Sequence, residues 1–122
     1  MMIMGSILID LCLCIYRQLN QALKDSLKIL RIKKNKLIIA YEPVWAIGTG
    51  KSASIIDIEE VILIIENCLE KISKQFIVPI LYGGSVNSSN AASITDKTDI
   101  DGLLVGGASL NPKEFAKIAQ LC

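Results

Sequence analysis

The sequence predicts an α/β fold built on a parallel sheet, and three observations predict it. Leu37 to Tyr41, Ile77 to Tyr82 and Asp101 to Val105 are short runs dominated by apolar residues. Each ends in a loop marked by glycine or proline, and each loop leads into a stretch with helical apolar spacing. Runs without polar alternation mark strands buried on both faces, as crossover helices impose on parallel strands.

Taken in order, residues 1–16 (MMIMGSILIDLCLCIY) imitate the apolar part of a signal sequence. They lack a basic start and a small-residue cleavage site, and Asp10 interrupts them. They are too short to span a bilayer, so a helix or a ragged start is expected there. Ile15, Leu19, Ala22, Leu23, Leu27 and Leu30 predict a helix continuing to about Leu30. Lys33, Lys34 and Lys36 mark the turn before the first strand. Ser54 with Asp57 three residues on is a capping-box signature, opening a long helix through Val61, Ile62, Ile65, Leu69 and Ile72. After the second strand and Gly83-Gly84-Ser85, Asn87 or Ser88 is expected to start a short helix over Ala91, Ala92 and Ile94. After the third strand and Gly106-Gly107, Ala108-Ser109-Leu110 has the length of a short extra helix. Asn111-Pro112-Lys113-Glu114 then supplies an N-cap, a proline in the first helical position and an acid in the third, for a helix running to the C-terminus.

The chain has 122 residues, 52% hydrophobic and 20% charged, which fits a single globular domain. Thirteen basic against 12 acidic side chains leave a net charge of +1. That excludes a long-range field drawing in nucleic acid or an anionic membrane and favours a small ligand. Cys12, Cys14, Cys68 and Cys122 show no CxxC or Cys/His clustering. They read as reduced, buried and structural, in keeping with a cytoplasmic location.

Residues 41–51, Tyr-Glu-Pro-Val-Trp-Ala-Ile-Gly-Thr-Gly-Lys, place the carboxylate of Glu42 where an apolar run gives way to a proline-started, glycine-rich loop. This layout suits a gated active site. The chain has no histidine, so any electrophilic partner of Glu42 must be supplied from elsewhere. Parallel α/β sheets and β/α barrels bind ligands at the C-terminal ends of their strands, where the three conspicuous loops fall. Glycine pairs leading toward a helix let several N–H groups face one anion, helped by the helix dipole; two ordinary tight turns are the alternative.

Tyr41 to Lys51 with Ser52 and Ala53, Tyr82-Gly83-Gly84-Ser85-Val86, and Asp101 to Leu110 together resemble the triosephosphate isomerase family. The resemblance runs from about Arg17 to the end. Arg17-Gln18-Leu19 and Asn87-Ser88-Ser89-Asn90-Ala91-Ala92 make it similar to bacterial members in particular. It implies the C-terminal portion of a (β/α)8 barrel with about three strand-helix units. It also implies interconversion of dihydroxyacetone phosphate and D-glyceraldehyde 3-phosphate, a step of glycolysis and gluconeogenesis, without metal or cofactor. In the family's known scheme a glutamate base, a neutral histidine electrophile and closure of a water-excluding lid act together. On that resemblance Glu42 is the base that moves a proton through an enediol. Pro43 to Ala53 form the hinged lid, including Val44, Trp45, Ala46, Ile47, Thr49, Gly50 and Lys51. The N–H groups of Gly48, Ser85, Gly106 and Gly107 hold the phosphate, with Tyr82 in support, and Ile47 and Leu104 press on the base when the lid shuts. A carboxylate pressed against apolar side chains is a stronger base than one in water, as a weak carbon acid requires. The family also implies a homodimer.

A barrel of this type takes about 250 residues, so about half is expected here, without the strands carrying the family's asparagine, lysine and histidine. Losing one oxyanion donor costs about 10² to 10³ in rate, and the chain is expected to be inactive alone unless another half-barrel supplies the rest. Open strand edges are expected as well. Two other readings stand beside this one. One is a non-catalytic remnant or interaction fragment. The other is a different phosphate-binding barrel enzyme, such as a sugar-phosphate epimerase or an indole-forming lyase, which explains the glycine pairs but not the Glu42 lid.

Overall fold

The computed structural model describes residues 13–22, 38–43, 46, 48–72 and 78–121. Strands β1 (Ile39–Tyr41), β2 (Ile80–Tyr82) and β3 (Gly102–Leu103) form one parallel sheet in the order β1-β2-β3. Ile39 pairs with Ile80 and Tyr41 with Tyr82, while Leu81 pairs with Gly102 and Tyr82 with Leu103. Helix α1 covers residues 13–22. It is followed by α2 (Ile55–Ile72), α3 (Ala91–Lys97), a 3-10 turn (Gly107–Leu110) and α4 (Pro112–Gln120). Strand and helix therefore alternate from β1 onward, as expected for a partial β/α barrel. Among the described residues no helix is long and apolar enough to cross a membrane.

The chain divides into two compact units, Met1–Lys36 with Leu63–Ile77, and Leu37–Ile62 with Val78–Cys122. In the second, Ile80 and Tyr82 of β2 are buried together with Ile58 and Ile62 of α2, Ile94 of α3 and Ile118 of α4. Each such aliphatic side chain contributes about 1.5 to 3 kcal/mol on burial. In the first, Ile65, Cys68 and Leu69 of α2 are buried, and Leu13 and Tyr16 of α1 share a small apolar recess with Cys68.

Helix starts follow local chemistry. The Ser54 N–H donates to Asp57 Oδ2 (3.2 Å) and the Asp57 N–H to Ser54 Oγ (3.1 Å), so the expected capping box is formed. Asn111 Oδ1 accepts from the N–H groups of Lys113 (3.0 Å) and Glu114 (3.3 Å), with Pro112 in the first turn. Helix α3 begins at Ala91, later than expected. The reason lies in Asn87, whose Oδ1 takes the Ser89 N–H (2.9 Å) and whose carbonyl takes those of Asn90 and Ala91, making a separate turn first. The predicted continuation of α1 toward Leu30 lies outside the described residues.

The strands are shorter than the apolar runs. Proline donates no ladder bond, and Pro79 only accepts from the Ile39 N–H (2.9 Å), so β2 begins at Ile80. At β3 the pairing starts from Asp101, whose carboxylate accepts the Ile80 N–H (2.7 Å) and whose N–H donates to the Ile80 carbonyl (2.8 Å). It ends at Leu104, because β2 stops at Tyr82 and offers Val105 no partner. Burial on both faces, expected of all three strands, is approached only by the central strand. Ala40 and Ile38, two residues apart on one face of the β1 segment, are exposed, the latter by 60%, while Ile39 and Tyr41 on the other face are half-buried. Of the cysteines, Cys68 is buried as expected and Cys14 is exposed, since the half-buried residues of α1 are Ile15, Tyr16, Leu19 and Asn20. Cys12 and Cys122 lie outside the described residues.

Candidate active site

Parallel strands bring their C-terminal ends to one edge of the sheet, so the segments after Tyr41, Tyr82 and Leu103 meet there. Between them, inside the second unit, lies a cleft of about 420 Å³. It is lined by Glu42, Gly48, Gly50, Gly84, Ser85, Val86, Asn87, Leu104, Gly106, Gly107 and Ala108. The candidate base and all four candidate phosphate-binding residues are thus brought to one cavity. Pro43, Ala46, Thr49, Lys51 and Tyr82 do not line it, and Val44, Trp45 and Ile47 lie outside the described residues.

Glu42 lies against Gly83. A Cβ on that glycine would stand 2.9 Å from Glu42 Cγ and 3.0 Å from Oε1. On Gly84 it would stand 2.9 Å from Tyr82 Cζ and 3.3 Å from the Ala46 methyl. Both glycines of the first pair are therefore closely approached by side chains, Gly84 by a buried ring that cannot give way. The second differs, for a Cβ on Gly106 or Gly107 would meet nothing within 4 Å. Glu42 itself is exposed. Of the two apolar residues expected to press on the carboxylate, Leu104 lines the same cleft at 41% exposure and Ile47 lies outside the described residues.

The loop after Glu42 is fastened to the segment after β2. Ser85 Oγ donates to the Ala46 carbonyl (2.7 Å) and accepts the Gly50 N–H (3.1 Å). Tyr82 Oη accepts the Ala53 N–H (2.8 Å) and donates to the Gly84 carbonyl (3.3 Å). Gly48 and Gly50 have φ of 67° and 74°, the left-handed conformation that lets the loop reverse. The Tyr82 ring is fully buried, 6.0 Å from that of Tyr41 and tilted by 55°. Burial pushes its hydroxyl upward from the ordinary tyrosine value, while the Ala53 N–H pulls in the other direction. It remains a protonated donor at neutral pH. Burial likewise raises Tyr41, helped by the neighbouring Tyr82 and Asp57.

The N–H groups of Ser85, Gly106 and Gly107 find no acceptor among the described residues. Each belongs to the cleft wall, and Gly107 opens the 3-10 turn. Uncommitted backbone donors around a cavity suit an anion without introducing a competing charged side chain. Gly84, Val86, Asn87 and Ala108 also line the cleft, a role not assigned to them from sequence. The sequence offers Asn87 as a helix start and as part of the resemblance to bacterial members, and its place two residues after Ser85 is the signal for a role in the cleft.

A profile of the triosephosphate isomerase family matches residues 13–122. The chain is 54% identical over 87 residues to a protein named triosephosphate isomerase from Chlamydia caviae, covering 69% of this chain and 34% of that protein. It is 49% identical over 89 residues to one of the same name from Rhodococcus jostii, covering 70% and 34%. With that from Saccharopolyspora erythraea it shares 48% over 107 residues, covering 85% and 40%. The alignments thus take in about a third to two-fifths of these relatives' length. The match sets aside an epimerase or indole-forming lyase.

Proposed function

The chain belongs to the triosephosphate isomerase family, and from that premise we propose that its cleft is the base-and-phosphate part of a site interconverting dihydroxyacetone phosphate and D-glyceraldehyde 3-phosphate. The observation that carries the reading is that Glu42 shares one cavity with Ser85, Gly106 and Gly107, whose N–H groups find no acceptor among the described residues. In this reading the phosphate is held by those amides together with that of Gly48. Held there, the substrate presents its carbons to Glu42, which takes a proton from one and returns it to its neighbour through an enediol. Binding the remote phosphate stabilises the closed loop and aligns the reacting carbons. The bonds of Ser85 to Ala46 and Gly50, and of Tyr82 to Ala53, are those that would keep the loop shut.

The sequence contains no histidine, so the group that polarises the substrate carbonyl comes, in this reading, from a polypeptide carrying the remaining strands. The homodimer typical of the family and a cytoplasmic location belong to the same proposal. The test is turnover of D-glyceraldehyde 3-phosphate by the chain alone and mixed with the N-terminal part of a relative's barrel. Turnover only in the mixture, abolished by Glu42→Gln, is expected. A mixture that assembles into a folded complex yet stays silent would overturn the proposal.

A further inference from the structure

We propose that Asn90, seconded by Asn87, is a positioning residue for the anion cup, holding the Ser85 peptide in the conformation from which that serine serves both cleft and lid. The inference rests on the functional reading of the cleft given above. Ser85 has φ of 51° and is the one described non-glycine residue with positive φ. A side chain with a Cβ is strained there, so other contacts must hold it. Asn90 Nδ2 donates to the Ser85 carbonyl (3.1 Å), and Asn87 Nδ2 donates to the same oxygen (3.3 Å). The other end of the Asn90 amide, Oδ1, accepts the Asn87 N–H (2.9 Å). One side chain thereby clamps the peptide groups on both sides of the buried Val86.

The commitment is visible in what Asn90 gives up. It occupies the N-cap of α3, a position where asparagine ordinarily bonds the first helical N–H groups, yet it makes no side-chain cap there. Both ends of its amide go to the loop. Its backbone is anchored by a helix whose Ala91 and Ile94 are buried, so the clamp is set on a rigid support. Ser85, at the other end, lines the cleft, its N–H without an acceptor among the described residues, and holds the Ala46 carbonyl and Gly50 N–H through its hydroxyl.

The experiment has a ligand-free arm and a ligand arm. NMR three-bond HN–Hα coupling and amide shifts report Ser85 geometry without ligand, and inorganic phosphate titration reports the cup. Asn90→Ala is expected to move Ser85 out of the left-handed region and to weaken phosphate binding about three- to tenfold, the worth of one hydrogen bond. In a Ser85→Gly background, where that conformation is unstrained, the same substitution should change phosphate affinity less than about twofold. Ser85 couplings unchanged in both Asn90→Ala and the Asn87→Ala/Asn90→Ala double variant would overturn the proposal. So would equal losses of phosphate affinity in the two backgrounds, which would mark a general structural role. If Asn90→Ala does not fold, Asn90→Asp keeps the acceptor for Asn87 and removes the donor to Ser85, and the coupling is read there. Should the unaltered chain bind no phosphate while Asn90→Ala still displaces Ser85, the clamp stands and the reading of the cleft falls.

Discussion

Gly83 and Gly84 are adjacent, yet their neighbours differ in how far they can give way. A methyl on Gly83 meets the exposed, adjustable Glu42 side chain, whereas one on Gly84 meets the fully buried Tyr82 ring. Gly83→Ala is expected to cost about 1 kcal/mol and Gly84→Ala about 3 kcal/mol, measured by urea unfolding; the reverse order would contradict the packing described. Glu114 offers a titration test. Its Oε1 accepts the Ser88 N–H (2.8 Å), and this bond holds its carboxyl below the ordinary value of 4.5. A depressed carboxyl adds stability that is present above the unfolded-state value and lost as pH falls through the folded one. Glu114→Gln should therefore be less stable than the parent at neutral pH, with the gap in melting temperature narrowing below about pH 4.5. Tyr82 runs the other way. Its raised hydroxyl contributes stability present below pH 10.0 and lost at higher pH, and Tyr82→Phe should flatten that alkaline decline.

Among the elements, those whose limits depend on neighbours in sequence were legible and those that depend on distant pairing were not. Ser54 and Asp57 meet within one turn, as do Asn111 and Glu114, so both helix starts could be read from spacing alone. Replacing Ser54 or Asn111 with Ala should each lower stability by about 1 kcal/mol, and a loss below a few tenths in urea midpoints would show the caps to be idle. The strands were legible as apolar runs, but their ends were fixed by Pro79 and by where β2 leaves its neighbours. The same holds for the site. Glu42 and the glycine pairs announced themselves by motif, whereas the Asn90 amide reaching back to Ser85 depends on three-dimensional closure of a turn and left no periodic trace.

At the scale of the molecule, the three parallel strands of the described residues leave β1 and β3 as outer edges, and Ile38, just before β1, is open to solvent. Strand edges of this kind recruit further strands. Size-exclusion chromatography with the N-terminal part of a relative's barrel should show a stoichiometric complex, and Ile38→Lys should weaken it; elution unaltered by mixing would count against complementation. Within the chain, Ser85 takes part in two structures through separate atoms, its hydroxyl in the fastened loop and its amide in the cleft wall. Thermodynamic reciprocity then leaves no freedom: whatever factor an occupying anion adds to the loop's closing equilibrium, a shut loop must return as the same factor in anion affinity.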